Sequence, residues 1–419
     1  MALEMQMNAG IKHSRRTRYG LIVLIFFGTV LAYVDRQVLA LLKPTLETTF
    51  GWSDEDFAHL GSAFSLAMAI SVFFSGVLVD RFGVRRAYGV AVAIWSLAGM
   101  AHAFASSVSQ FVVARVTLSV GESVAGPATV KATAQYLPLR ERSIGLGVIA
   151  SAPSLGAILT PLAIPLIAVW FGWQAAFLFT GSLGLVWVVA WFASTRSLKT
   201  VAHQAEHPEA GEAVWKELLS DRKTWAIVWT KALADMVWWF MLFWIPDLFS
   251  KVFHLGQAEI GGPVALSYAM AAMGALVSGM LFPTLIRRGL SMNAARKLSM
   301  TLFAVLILPV PLALQMASAW TAAVVIGLAL FAHNGFVTNV FGLTTDIVPL
   351  KRVGTVTAMS SVAGNITGLA MIEFAGWSLT TGFGYWPMFV VSSLAYLTAT
   401  AFFHLMIPQL EMAETEEAF

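Results

Sequence analysis

Long apolar stretches recur along the whole chain and are separated by short polar breaks. At 1.5 Å per residue, a helix of about 20 residues crosses a hydrocarbon core of about 30 Å. The pattern predicts twelve membrane-spanning helices, and the break "ASSVSQF" between the third and the fourth is the least distinct. The predicted spans are 19–43, 57–79, 87–107, 110–134, 143–168, 174–195, 223–250, 259–286, 294–316, 320–346, 353–376 and 384–407.

One long polar segment interrupts this pattern and leaves six spans on either side of it. Two faint internal repeats support a division into halves. "SGVLVDRFGVRR" resembles "SGMLFPTLIRR", with Gly76 and Gly279 203 positions apart, and "YLPLRERS" resembles "IVPLKRVG", with Pro138 and Pro349 211 positions apart. We expect two parallel six-helix bundles with a cavity between them, an arrangement suited to alternating access. The predicted parts are a head (1–18), an N-terminal bundle (19–195), a linker (196–222), a C-terminal bundle (223–407) and a tail (408–419).

Composition and charge support an integral membrane protein. Residues are 58% hydrophobic and only 12% charged, about half the charged fraction of soluble domains. Twenty Lys and Arg side chains fall in one set of loops and two in the other, which predicts that both termini are cytoplasmic. The basic residues are too scattered for a nucleic-acid surface. The basic head lacks a small-residue cleavage site, so we do not interpret the first span as a signal peptide.

Four charged residues lie away from the ends of two predicted spans of the first half. Asp35 and Arg36 are adjacent in the first span, and Arg115 and Glu122 are seven residues apart in the fourth. A charge at the centre of a membrane helix costs about 2.5–3.5 kcal/mol on insertion scales. The most economical arrangement pairs Asp35 with Arg115 and Arg36 with Glu122, so that the four charges sum to zero. A purely structural role for these pairs is the alternative to a functional one.

The loop after the second span resembles a known signature. "GVLVDRFGVRR", residues 76–86, is similar to the loop signature of the major facilitator superfamily, and "YLPLRERSIGLG" to a second signature in its anion:cation symporter branch. "YVDR", the Arg115/Glu122 pair and "WQAAFLFTG" add to this resemblance. The chain resembles the bacterial hexuronate transporters of that branch, followed by its galactonate and glucarate transporters. The resemblance implies an all-α, twelve-helix fold in a bacterial inner membrane.

The resemblance implies secondary active import of a sugar acid anion, such as glucuronate or galacturonate, by proton symport. We expect Arg36 to bind the substrate carboxylate, because arginine makes a planar two-point contact at any physiological pH. Asp35, Arg115 and Glu122 are the expected proton-coupling residues. Aldonates, aldarates or other organic anions, a sodium-coupled or anion-exchanging carrier, and a membrane sensor are the alternatives.

The remaining candidate residues come from polar and aromatic side chains in the spans and from the signature loop. Lys231 and Asp235, four apart in the seventh span, form either a structural pair or part of the cavity lining. The expected substrate-binding residues besides Arg36 are Tyr33, Trp238, Trp239, Asn334, Ser361 and Asn365. The expected cytoplasmic gate consists of Gly76, Asp80, Arg81, Arg85 and Arg86. The alternative is that these loop residues act only as positive-inside anchors.

An enzyme is not expected. The chain has no cysteine, which excludes thiolate catalysis and cysteine-ligated metals, and it has neither an HExxH nor a GxSxG motif. No cofactor and no metal are expected. The predicted partners are a small organic anion, a co-transported proton (sodium is the less favoured ion) and the lipid bilayer, with no nucleic acid and a monomeric chain.

Overall fold

The computed structural model describes residues 15–137, 145, 148–149, 151–196 and 218–410. The predicted head before residue 15, the linker between 196 and 218, the loop "LRERS" before the fifth span and the tail after 410 lie outside the described residues. Within them, the secondary structure is helical, and no strand is present.

The helices follow the predicted spans closely. Eleven helical segments among the described residues are long and apolar enough to cross a membrane. In the first half of the chain the helices are α1 (Arg15–Phe50), α2 (Asp54–Phe82), α3 (Val84–Ala101), α4 (Val108–Glu122), α5 (Ala125–Tyr136), α6 (Ala152–Phe171) and α7 (Trp173–Ser194). In the second half they are α8 (Arg222–Phe253), α9 (Gly261–Arg287), α10 (Met292–Leu306), α11 (Ala319–Ile347), α12 (Leu350–Thr380) and α13 (Trp386–Met406). Short 3₁₀ turns, His102–Phe104 and Val310–Gln315, follow α3 and α10.

The fourth predicted span, 110–134, is not one continuous helix. It is divided into α4 and α5 by a turn at Ser123 and Val124. Pro127 has no N–H, so the carbonyl of Ser123 four residues earlier loses its helical donor. The chain tightens at this point, and the Val124 N–H bonds to the Gly121 carbonyl at 3.3 Å, three residues back. Glu122 is therefore the last residue of α4, beside an irregular turn rather than within a regular helix.

Short polar breaks between apolar stretches supply the helix caps. The Ser107 side chain accepts a hydrogen bond from the backbone N–H of Gln110 at the start of α4, within the break "ASSVSQF". Ser291 and Ser318 cap α10 and α11 in the same way, and Asp221 accepts two backbone N–H groups at the start of α8. Such caps satisfy backbone donors that a helix leaves open at its first turn.

The chain forms two compact units. The first comprises Met1–Phe50 and Ile70–Glu206, and the second comprises Gly51–Ala69 and His207–Phe419. Helix α2 is thus divided, because its residues up to Ala69 pack within the second unit and those from Ile70 within the first. In the second unit, Asp54 of α2 accepts from Lys251 Nζ at 2.5 Å, and the Phe64 ring lies 6.0 Å from that of Trp239.

Each unit packs its helices through small residues at the crossings. In the first unit α1 lies against α6 and α7, and α3 lies against α4 and α7. In the second unit α8 contacts α11, α12 and α13, and α9 crosses α11. At this last crossing a β-carbon on Gly274 would overlap the backbone carbonyl of Phe331. Glycine lets the two helices approach closely, as is common where membrane helices pack.

Candidate functional site

An ion pair between two helices is the centre of the charged site in the first unit. Arg36 on α1 donates from Nε to Glu122 Oε2 at 2.6 Å, and 86 residues separate them in the sequence. The side chain of Glu122 is fully buried, whereas that of Arg36 is 16% exposed. Glu122 Oε1 is buried and has no hydrogen-bond partner among the described residues. The predicted approach of Arg36 to Glu122 is therefore present, and one carboxylate oxygen is left without a donor.

Tyr33 lies beside this ion pair. The Arg36 guanidinium carbon is 4.8 Å from the centre of the Tyr33 ring, one turn earlier on α1. On the other side of Tyr33, α6 approaches at Gly156, where an added β-carbon would lie 3.1 Å from Tyr33 Cβ and 3.0 Å from the Val30 carbonyl. The aromatic face and the arginine are thus held together on α1 at a cation–π distance.

Asp35 and Arg115 are also buried in the first unit. Asp35 Oδ2 has no hydrogen-bond partner in the described part of the chain. Arg115 donates from Nη2 to the backbone carbonyl of Arg36 at 3.5 Å. The expected pairing of Asp35 with Arg115 stays a prediction.

A second ion pair lies in the second unit, on a single helix. Lys231 Nζ is 2.5 Å from Asp235 Oδ2 on α8, and the two side chains are 10% and 15% exposed. Three residues further along, the Trp238 ring stacks on His333 of α11, with centroids 5.1 Å apart and planes at 17°. Positions i, i+4 and i+7 of this helix are Lys231, Asp235 and Trp238, and such positions lie on one face.

The predicted substrate-binding residues of the second half differ in what they still offer a ligand. Trp239 is packed in an aromatic core with Phe64 and Phe243. The amide of Asn334 donates to the Ala271 carbonyl at 2.9 Å. The hydroxyl of Ser361 bonds within its own helix to the Thr357 carbonyl at 3.0 Å. The amide of Asn365 donates to the Ser361 carbonyl at 2.8 Å, but its Oδ1 is buried without a hydrogen-bond partner in the described residues. Of these, Trp238 and Asn365 present the groups best suited to a sugar.

The predicted gate residues contact neighbouring helices of the first unit. Asp80 pairs with Lys131 of α5 at 2.5 Å. Arg85 donates to Thr195 Oγ1 at 3.1 Å and to the Phe192 carbonyl at 3.2 Å, at the C-terminal end of α7, where the helix dipole favours a cation. Arg81 lies 5.8 Å from the Phe82 ring, Arg86 is exposed, and a side chain on Gly76 would meet open space.

Sequence reasoning did not predict the ion pair of Lys131 with Asp80 or that of Arg296 with Asp346. In the second unit, Arg296 donates to Asp346 Oδ2 at 2.8 Å and lies 3.6 Å from the Phe282 ring. The sequence did contain a sign that Arg296 corresponds to Arg85 in the other half. The two residues are 211 positions apart, the same offset as the repeated Pro138 and Pro349.

Comparisons with known proteins agree with this architecture. The sequence profile of the Major Facilitator Superfamily matches residues 25–372. The Hexuronate transporter of Escherichia coli (strain K12) is 26% identical over 391 residues, which cover 89% of this chain and 90% of that protein. The Galacturonate transporter of Dickeya chrysanthemi is 29% identical over 310 residues, covering 70% and 89% of the two chains.

A solved structure shows the same fold. A bacterial homolog to the human lysosomal transporter Spinster, in an inward-facing and unoccupied conformation, superposes with a TM-score of 0.76 at 17% identity. The superposition covers 94% of this chain and 98% of the other. At this identity the likeness concerns the fold. The profile match over most of the chain, together with its apolar helices, shows that this protein is a multi-pass membrane transporter that belongs to the Major Facilitator Superfamily.

Proposed function

We propose that the protein is a secondary active transporter that imports a sugar acid anion, a hexuronate such as glucuronate or galacturonate, together with a proton. The observation on which the proposal depends is the buried Arg36–Glu122 pair beside Tyr33. The names of the relatives support the substrate class, since they include hexuronate and galacturonate transporters. The proposed location is a bacterial inner membrane, with both termini in the cytoplasm.

Arg36 is suited to the carboxylate of such a substrate. A guanidinium group binds a carboxylate through two parallel N–H···O bonds and remains charged at physiological pH. Nε of Arg36 is engaged by Glu122. A substrate carboxylate would therefore compete with Glu122 for the same guanidinium group. The Tyr33 ring beside it offers a flat surface and a hydroxyl to the sugar.

This competition supplies a mechanism for coupling. An ionised Glu122 holds Arg36, and a buried charge left without its partner is costly. A proton on Glu122 neutralises its carboxylate and releases Arg36. The substrate carboxylate then pairs with Arg36 in place of Glu122, so that the net charge of the site is conserved. Asp35, buried with one oxygen unpartnered among the described residues, is a second group on which a proton would lower the cost of burial. Arg115 supports the cluster by fixing the backbone of α1 at Arg36. Alternating access of the site to the two sides of the membrane would then move both solutes together.

The test is uptake of radiolabelled glucuronate by proteoliposomes with and without an inward proton gradient. Accumulation that requires the gradient, and that persists when sodium is absent, supports proton symport. Galactonate and glucarate in the same assay separate hexuronates from aldonates and aldarates. Uptake that ignores the proton gradient but follows sodium or an internal counter-anion would contradict the proposed coupling, and failure to bind or move any sugar acid would contradict the substrate class.

A further inference from the structure

His102, in the turn that follows α3, is a fully buried titratable side chain of the first unit. Its Nδ1 lies 2.8 Å from the Ala98 carbonyl oxygen and 3.3 Å from that of Gly99. A carbonyl only accepts hydrogen bonds, so Nδ1 must carry the proton, and Nε2 of the neutral ring is an acceptor. Nε2 is buried and has no hydrogen-bond partner among the described residues. Such an acceptor is costly to bury unless it meets a proton or a water.

The imidazole lies on the part of α3 that faces Asp35. An added β-carbon on Gly99 would be 3.9 Å from Asp35 Oδ1. His102 follows three residues later on the same face, and its contacts with the preceding turn bring the ring back toward Gly99. Asp35 Oδ2 is likewise buried without a hydrogen-bond partner in the part of the chain that the structure describes. Two proton-binding groups thus lie about one helical turn apart, a span that a bridging water covers.

Aromatic side chains fix the orientation of the imidazole. Phe177 of α7 stacks on it, with centroids 4.9 Å apart and planes at 10°, and Phe111 of α4 meets it edge-on at 5.6 Å. The ring is therefore held in place, and Nε2 is the nitrogen at which a proton is gained or lost. The exposed residues Phe104 and Ser106 follow within four positions, so the end of the helix and its surrounding solvent lie close to the ring.

The charges around the ring favour transfer of a proton over its storage. Of the helices packed against this turn, α7 has no charged residue, and α3 has its arginines, Arg85 and Arg86, at its opposite end. Helix α4 contributes Arg115, one turn after the phenylalanine that meets the ring. Like charges repel strongly in a low-dielectric interior. Arg115 therefore opposes a lasting charge on His102, whereas Asp35 offers the proton an acceptor oxygen.

We propose that His102 is a proton relay, which takes a proton at Nε2 from water on the outer side and passes it through a bridging water to the carboxylate of Asp35. Nδ1 keeps its hydrogen bond to Ala98 throughout. The Nε2–H bond forms as a water O–H bond breaks, and it breaks in turn as Asp35 gains the proton. This role rests on the proposed proton symport and on the proposed orientation, in which the His102 end of α3 is the outer end. A relay sets how fast protons reach Asp35, not how many cross with each substrate.

The test compares the initial rate and the final level of proton-driven glucuronate uptake in proteoliposomes. His102→Asn keeps an N–H donor near the position of Nδ1 and removes Nε2. Its initial rate should fall by at least about 10-fold, because a positioned proton-transfer group contributes about 10²–10⁴-fold. The final level should equal that of the wild type, and exchange of substrate at equal pH on both sides should be retained. If His102→Asn is not monodisperse, His102→Gln provides the same comparison.

Two further readouts separate a relay from a structural role of the ring. Nitrogen NMR of labelled imidazoles, as the difference between wild type and His102→Asn, should show a neutral ring protonated at Nδ1. Imidazole added to His102→Ala should restore the initial rate, because it fits between Phe111 and Phe177. Pyrazole, a weaker base of the same size, should not.

His254→Asn is the matched control. This histidine is exposed after α8 and has a φ of 56°, a conformation that asparagine also adopts. Its substitution should leave the initial rate unchanged.

Several results would overturn the relay. Wild-type initial rates in both His102→Asn and His102→Gln would show that protons reach Asp35 without the ring. A lowered final level would make His102 a coupling group instead, and equal rescue by pyrazole would make the ring structural. Uptake by the wild type that ignores the proton gradient would contradict the proposed symport itself, and the relay with it.

Discussion

Two ion pairs inside membrane-spanning helices of this transporter are built in opposite ways. Arg36–Glu122 joins α1 to the irregular end of α4, across 86 residues of sequence. Lys231–Asp235 is contained within one turn of α8. A pair between helices can exchange partners when a ligand arrives or a helix shifts, whereas a pair within one helix moves as a unit. The first arrangement fits the coupling role proposed for Arg36 and Glu122, and the second is expected to stay together as a unit, and the following changes test that comparison.

Arg36→Ala should have the largest effect. Hydrogen bonds to charged groups contribute about 1.5–3 kcal/mol each, so loss of a two-point contact should weaken glucuronate binding by at least about 100-fold. Arg36→Lys keeps the charge but lacks the planar fork, and it should recover only part of the affinity. Calorimetry and uptake provide the readout, with the exposed Arg288→Ala as control. If Arg36→Ala bound glucuronate as tightly as the wild type does, the substrate carboxylate would have to bind at another residue.

Glu122→Gln should separate binding from coupling. The amide cannot be ionised and cannot compete as an anion for Arg36, so substrate exchange across the membrane should continue while gradient-driven accumulation is lost. The affinity of the wild type for the substrate anion should rise as pH falls, because a proton on Glu122 releases Arg36. In Glu122→Gln the affinity should depend less on pH. Counterflow and binding at a series of pH values measure both. A variant that still accumulates substrate would show that the proton is held by another group.

Gly364→Ala should disturb the second pair without changing its charges. The new β-carbon would overlap Asp235 Oδ2, and overpacking of this kind costs about 1–3 kcal/mol. The free energy of unfolding of the variant should therefore fall by about 1–3 kcal/mol, measured by thermal unfolding in detergent. Gly354→Ala on the same helix is the control, because a side chain there meets open space. Equal effects of the two substitutions would point to a general loss of helix packing.

The contact between Asp80 and Lys131 should make the smallest contribution to the free energy of unfolding. Their side chains are 50% and 24% exposed, and exposed ion pairs contribute about 0.2–1 kcal/mol. A double-mutant cycle with Asp80→Asn and Lys131→Met, followed by thermal unfolding in detergent, should give a coupling energy in this range. A larger coupling, or a loss of transport without loss of stability, would indicate that the pair holds one conformational state.

Hydropathy was sufficient for the order and approximate ends of most helices, because only an apolar helix of this length satisfies its backbone in lipid. The division of the fourth span was not anticipated, although Pro127 was visible, because a proline indicates a weakened helix without showing where it bends. Charge neutrality correctly brought Arg36 to Glu122. The pairing of Asp35 with Arg115 stays a prediction, because the azimuth of each helix is set by packing partners that lie far away in sequence.

The second-half site was predicted less completely for a related reason. An amide or hydroxyl within a span is equally able to bind a sugar or a neighbouring backbone carbonyl. The structure shows that Asn334 and Ser361 bond such carbonyls, while Asn365 retains a buried acceptor. Sequence spacing placed Trp238 and Trp239 together, but adjacent helix residues point about 100° apart. Trp238 stacks on His333, whereas Trp239 packs against Phe64 and Phe243.

The division of α2 between the two units has a mechanical consequence. No loop interrupts this helix, so its residues up to Ala69 and those from Ile70 are joined by one continuous helical backbone. Its 29 residues measure about 43 Å at 1.5 Å per residue. Since the chain has no cysteine, two spin labels on introduced cysteines near the ends of α2 would make this helix an internal ruler. A label separation that shortens on adding substrate would report bending, and a constant separation would report a rigid lever.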